Sequence, residues 1–168
     1  DPIIAIDNLT NETELTCDVP SITLVASGAT TYSWTNESAV VISSVATLVV
    51  NAAGTYTVTG IGANGCSSSQ VVVISEDFTL PTVAVVSDNT NDQLTCLDNS
   101  TTLSASGAVS YVWANGLGTA NQITAGSAGT YTVEGFGLNG CSAEASIVIT
   151  TDGQLPTVFI NASNTEIN

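Results

Sequence analysis

"AGTYTVTGIGANGC" (Ala53–Cys66) returns as "AGTYTVEGFGLNGC" (Ala128–Cys141) with three of its fourteen letters changed. The duplication reaches outward in both directions. "ELTC" ending at Cys17 is answered by "QLTC" ending at Cys96, "ASGATTYSW" by "ASGAVSYVW", and "LPTV" stands at both Leu80 and Leu155. Cys17 to Cys96 and Trp34 to Trp113 are offset by 79 positions, Gly54 to Gly129 and Cys66 to Cys141 by 75. The second copy is therefore four residues shorter between Trp113 and Gly129. Self-similarity at such a period is the mark of tandem modules. The division expected is a first repeat over 1–79, a second over 80–154, and the first strand of a third over 155–168, as in a window cut from a longer array.

Within each copy, apolar and polar residues alternate with period two, which is the pattern of half-buried strands. In the first copy this places strands near Ile3–Ile6, Ser21–Ser27, Thr31–Thr35, Val40–Ile42, Thr47–Val50, Gly54–Thr59 and Gln70–Ser75. Turn signals at Ser27-Gly28, Asn36-Glu37-Ser38, Ala53-Gly54 and Asn64-Gly65 separate them. The fold class expected is all-β: tandem β-sandwiches strung into an elongated rod. Tyr32 and Trp34 share one strand face, Tyr56 and Val58 one face of a later strand, and these aromatics with Tyr111, Trp113 and Tyr131 belong in the two cores.

The chain has no Lys, Arg or His and fifteen acids, a formal charge of −15. Nucleic acid is excluded as a partner, because phosphates are bound through Lys and Arg, and an anionic membrane surface on the same ground. General-base and oxyanion chemistry lack their usual suppliers, so no enzyme activity is expected. The most apolar run, Ala39–Val50, is shorter than the roughly 20 residues that cross a bilayer, so no direct membrane insertion is expected.

Cys17 with Cys66 and Cys96 with Cys141 are the simplest pairs, one disulfide per copy, and imply an oxidising, extracellular or cell-surface setting. A cysteine metal site is the competing reading, disfavoured because no two cysteines form a CxxC pair.

The residues Tyr32, Trp34, Gly54, Tyr56, Val58, Asn64, Gly65 and Cys66, repeated at Tyr111, Trp113, Gly129, Tyr131, Val133, Asn139, Gly140 and Cys141, resemble the signature of Ig/PKD-like repeats in giant surface adhesins of gliding Bacteroidetes, the SprB type. The acidic-glycine turn that follows the Trp of PKD domains is absent; "TNES" and "ANGL" stand there instead. The resemblance implies a stalk segment of a cell-surface adhesin or filament, gliding motility, export by a type IX route, and a disulfide that clamps one end of each domain. Neighbouring repeats of the same chain are the partners it implies.

Other readings stay open. Glu76, Asp77 and Asp152 stand at the copy junctions, where Ca²⁺ often stiffens extracellular rods; against that, only Asp77 and Asp152 recur, as solvating acids need not. Sugar stacking has only Phe78 and Phe136 to work with, and Phe78 is better placed to pack between domains. The apolar run of the first copy, with Val41 and Val49, has no counterpart in the second and is a candidate for self-association into filaments. Finally, "LPTVFINASN" from Leu155 is a strand that could complete a neighbouring subunit, which would make the chain a secreted subunit polymerising by strand addition.

Overall fold

A computed structural model describes residues 1–153 and contains strands, turns and two short 3₁₀ segments. In the first copy β1 (Ala5–Asn8), β3 (Ile22–Ser27) and β6 (Thr47–Val50) form one sheet in the order β1-β3-β6. The facing sheet holds β2 (Glu14–Leu15), β8 (Ser67–Glu76), β7 (Gly54–Ile61), β4 (Thr31–Thr35) and β5 (Val41–Ser43), in the order β2-β8-β7-β4-β5. The second copy repeats the plan with β9 (Ala84–Ser87), β11 (Thr101–Ser106) and β13 (Gln122–Ala125) on one side. Opposite lie β10 (Gln93–Leu94), β15 (Ser142–Thr151), β14 (Gly129–Phe136) and β12 (Ser110–Trp113). All pairings are antiparallel except β2 with β8 and β10 with β15.

Each sandwich has its own core. In the first, Leu15, Ile22, Leu24, Trp34, Val58 and Ile74 are sealed between the sheets; in the second, Leu103, Trp113, Val133 and Ile149 take the same role. Along β7 the buried residues are Tyr56, Val58 and Gly60 while Thr55, Thr57 and Thr59 are half-buried, the alternation of a sheet with one wet side. The aromatic polar groups are satisfied identically in both copies. Trp34 Nε1 donates to the Ala46 carbonyl at 3.2 Å and Trp113 Nε1 to Ala120 at 2.9 Å. Tyr32 and Tyr111 hydroxyls close the loop three residues back, on Ala29 and Ala108. The Tyr56 and Tyr131 hydroxyls donate to the carbonyls of Ala52 and Ser127. Ser-Gly turns at Gly28 and Gly107 hold φ near +90° and press on the backbone of Ile3 and Thr82, so that a Cβ at either position would overlap a carbonyl.

Several strand bounds differ from those expected: β5 runs over Val41–Ser43, β7 continues to Ile61, and β8 already begins at Ser67. The first strand begins at Ala5 and not at Ile3, because Ile4 turns inward to pack on Gly60. The two-residue strands β2 and β10 are too short to show a period, and only their parallel pairing with the last strand of the copy makes them strands. The four missing residues of the second copy also acquire a location. β5, an edge strand bonded to β4, has no equivalent there; the chain leaves β12 through a 3₁₀ turn at Ala114–Gly116 and a single bridge from Trp113 to Gly118.

Candidate functional site: the junction between the two sandwiches

The covalent feature of the structure is one disulfide, and it joins the copies: Cys17 is bonded to Cys141, with Cα atoms 5.0 Å apart and 124 positions between them in sequence. Cys66 and Cys96 are exposed thiols. This corrects the expected pairing of Cys17 with Cys66 and Cys96 with Cys141, and β8 supplies the reason. Cys66 immediately precedes β8, whereas Cys17 follows β2, whose Leu15 pairs with Glu76 at the far end of β8. Ten residues of extended strand put roughly 33 Å between the two positions, while disulfide-linked Cα atoms lie within about 7 Å. The same geometry separates Cys96 from Cys141 along β15, because Leu94 pairs with Thr151. Each copy thus carries its Leu-Thr-Cys at the pole where the chain leaves and its Asn-Gly-Cys at the pole where the chain arrives.

Asn139 organises the contact around this bond. Its side-chain oxygen accepts from the Cys141 N–H within its own turn at 3.2 Å. Its Nδ2 donates to the carbonyls of Asp77 at 3.2 Å and Thr79 at 3.0 Å, fixing the connecting segment. Its backbone carbonyl accepts from the Cys17 N–H at 3.1 Å. Gly140 takes φ +74° in the turn, and a Cβ there would overlap the Asp18 carboxylate, so the close approach of the two poles depends on a glycine. Cys141 is 1% exposed, against an exposed Cys66 in the matching turn. The connecting segment is further pinned by the Asp77 N–H to the Leu15 carbonyl at 2.9 Å. The Asp77 carboxylate accepts from the Thr79 N–H at 3.0 Å, and this bond first, with help from the Asn139 side chain, holds the Asp77 carboxyl below its ordinary range.

The other residues singled out in sequence are dispersed. Asp77 caps the linker, Glu76 accepts weakly from the Ala53 N–H at 3.4 Å, and the Asp152 N–H donates to the Leu94 carbonyl. Among the described residues no group of three or more carboxylates or cysteines is placed to hold a metal. A depression of about 320 Å³ lined by Asp88, Asn89, Thr90, Gln93, Thr95 and Asp98 holds acids and amides without a base among them. Within it the Asp88 carboxyl is held below its ordinary range, first by the Thr101 hydroxyl and then by the Thr102 N–H. Val41 on β5 and Val49 on β6 are both exposed but lie on edge strands of opposite sheets. Phe78 is 45% exposed, and Leu80 beside it 61%, so the linker apolar residues are only partly covered. Residues 155–168, with the third-copy strand, lie outside the described residues. No helix among the described residues is long and apolar enough to cross a membrane.

No family model matches this sequence, and no curated protein does. Among solved structures the chain is similar to fibronectin(III)-like modules of Clostridium thermocellum CbhA, at 12% identity and a TM-score of 0.38 over 94% of this chain and 100% of that one. It is also similar to a 1.5-MDa bacterial ice-binding adhesin at 14% identity, TM-score 0.49, over 90% of this chain. A Ca²⁺-stabilised adhesin of an Antarctic bacterium matches at 12% identity and TM-score 0.49 over 89%. The chain spans 65% and 48% of those two adhesin structures. Likenesses at this level carry no argument about function; the β-sandwich architecture stands on the strand pairing described above.

Proposed function

We propose that the chain is a structural segment of an extracellular cell-surface adhesin or filament, a stalk built from repeats divided at 1–79, 80–154 and 155–168. One observation carries this reading: the only bond between cysteines joins two successive modules across their junction, so chemistry in this molecule is invested in module order and not in a reaction centre. A disulfide of that kind persists in oxidising compartments, which supports a setting outside the cell. Uniform negative charge without a single cation keeps such rods soluble and apart from one another. Gliding motility and export by a type IX route are the finer form of the proposal and rest on the resemblance of the Tyr-x-Trp and Gly-Thr-Tyr-Thr-Val signatures. For junction Ca²⁺, no group of three or more carboxylates is gathered among the described residues.

Polymerisation by strand addition has one observation in its favour. Without a β5 counterpart, β12 of the second copy is an edge strand bonded only to β14 and the Gly118 bridge, and such an edge accepts a strand. The two readings separate in one experiment. Antibody raised against residues 1–153 is applied to intact cells of the source organism, and the reactive species is sized after reduction and denaturation. The stalk reading requires surface labelling and a species far larger than 17.0 kDa. Labelling that appears only after lysis refutes it, and a surface species of 17.0 kDa transfers the case to the strand-adding subunit.

A further inference from the structure

The surroundings of the two free thiols match, bond for bond, the two halves of the junction already formed. At Cys66 the N–H donates to the Asn64 side chain at 3.2 Å, the Gly62 N–H to the Cys66 carbonyl at 2.9 Å, and the Gly65 N–H to the Gly62 carbonyl at 3.0 Å. At Cys141 the corresponding bonds, from Cys141 to Asn139, Gly137 to Cys141 and Gly140 to Gly137, measure 3.2, 2.8 and 3.2 Å. Around Cys96 the Thr95 N–H donates to the Asp98 carbonyl at 2.9 Å and the Asp98 N–H to the Thr95 hydroxyl at 3.0 Å. Thr16 and Val19 make the same two bonds beside Cys17, at 3.0 and 3.1 Å. The exposed thiols are thus copies of two surfaces that, one repeat away, close on each other with a disulfide. They stand at opposite ends of the unit: Cys66 at the arriving pole of the first sandwich, Cys96 at the leaving pole of the second.

We infer that Cys66 and Cys96 are the complementary halves of further junctions, so that the unit joins head to tail with a second copy of itself through a Cys96–Cys66 disulfide. Asn64 of the incoming copy plays the part of Asn139. Its Nδ2, which has no acceptor among the described residues, donates to the carbonyl of Asp152, as Asn139 does to that of Asp77. Gly65, whose Cβ position is open, gives the close approach that Gly140 gives to Asp18. Leu97, 94% exposed in the place of Asp18, is covered by the arriving turn. The bond needs an oxidant, here a small-molecule disulfide such as glutathione disulfide. The Cys96 thiolate attacks one of its sulfurs and releases one thiolate. The Cys66 thiolate of the second copy then attacks the Cys96 sulfur of the mixed disulfide and releases the other, so two protein thiols become one disulfide and the oxidant becomes two thiols. This inference goes beyond the stalk reading, because it rests on the junction and holds for separate chains as for repeats of one chain.

The test uses the 168-residue chain with Cys17–Cys141 formed, incubated with glutathione disulfide and read by non-reducing electrophoresis. Linked peptides are identified by mass spectrometry after cleavage at acids, since the chain has no Lys or Arg for trypsin. A ladder of multimers is expected. Cys66→Ser and Cys96→Ser alone each give about a tenth or less of the dimer that their equimolar mixture gives, and that mixture stops at a dimer. Cys66–Cys96 peptides exceed the symmetric pairs by about tenfold, a preference of about 1.4 kcal/mol, and Asn64→Ala, on an exposed turn, lowers that preference. Symmetric dimers from either single variant as abundant as the dimer of the mixture, the one-half share of mixed pairs that random collision gives, or no cross-linking at all would each overturn the inference.

Discussion

Breaking Cys17–Cys141 tests whether the junction couples the two sandwiches or merely decorates them. With Cys17→Ser the covalent tie is lost while both cores stay intact, because Cys17 lies in a turn outside β2 and β3. The tie constrains either sandwich when it unfolds alone. An unfolded first copy is held at Cys17 and again where it enters the folded second copy near Leu80, closing a loop of roughly 60 residues worth about 4 kcal/mol in the chain-entropy model. The second copy, held near Leu80 and at Cys141, closes a loop of similar size and gains about the same. Unfolding both together opens the full 124-position loop, worth only about 5 kcal/mol in total. The two single-copy gains exceed the joint one by about 3 kcal/mol, and this excess penalises partly unfolded states and couples the copies. The wild-type chain should therefore melt in one transition. Cys17→Ser should melt in two, the weaker lowered by roughly 15 to 30 °C for domains of this size, with urea m-values falling toward those of single sandwiches. Calorimetry and urea titration of both proteins measure it. An unchanged midpoint with a single undiminished m-value in Cys17→Ser would refute the coupling.

Other outcomes follow from the same structure. Trp113→Ala removes the centre of the second core and should destabilise that sandwich by about 3 to 5 kcal/mol while the first copy's transition, observed through Trp34 fluorescence in the Cys17→Ser background, stays in place. Gly107→Ala sets a Cβ against the Thr82 carbonyl at φ +89°; a loss of at least about 1 to 3 kcal/mol is expected from the backbone conformation alone, read by urea denaturation. Asp77 and Asp88 are both held below the ordinary carboxylate value of 3.8, so the native state binds their protons more weakly than the unfolded chain does. Their contribution is complete above that value and is lost as the pH falls through the lower folded-state value; Asp88→Asn should be less stable at pH 7 and flatter in its midpoint between pH 5 and 2. Val41→Thr with Val49→Thr should leave the melting curve alone and weaken any concentration-dependent association seen by light scattering; unchanged association removes this patch from consideration.

Much of the architecture was legible because each module states itself twice. Thr31–Thr35 and Thr47–Val50 form strands at the bounds that alternation assigns, and the slots of Trp34 and Trp113 follow from facing periodicity. What alternation cannot show is a strand of two residues. Glu14–Leu15 carries no period, yet its parallel pairing with Ser75–Glu76 decides which pole Cys17 occupies and hence which cysteine it meets. Pairing within copies and pairing across copies use the same repeated positions, so spacing alone does not separate them. Asn139 was visible as part of a repeated Asn-Gly-Cys phrase. Its bonds to Asp77 and Thr79 span 60 or more positions and belong to the junction, which no single module contains.

The crossing disulfide also determines how the molecule lengthens when its ends are pulled apart. Tension entering at Asp1 passes from Cys17 straight to Cys141, and the 124 positions between them, about 430 Å of fully extended backbone, are shielded from it. Where Cys96–Cys66 bonds join successive units, the shortest covalent track runs from Cys66 through the backbone to Cys96 and on into the next copy. That track measures about 105 Å when fully stretched, and with two sandwiches end to end, each as long as β8 or β15, its ends already stand roughly 66 Å apart. A joined fibre then lengthens by no more than about 60% before its covalent bonds bear the load, even with every sandwich unravelled. Where the units are repeats of one chain, reduction converts the fibre into a long, compliant tether; where they are separate chains, it takes the fibre apart.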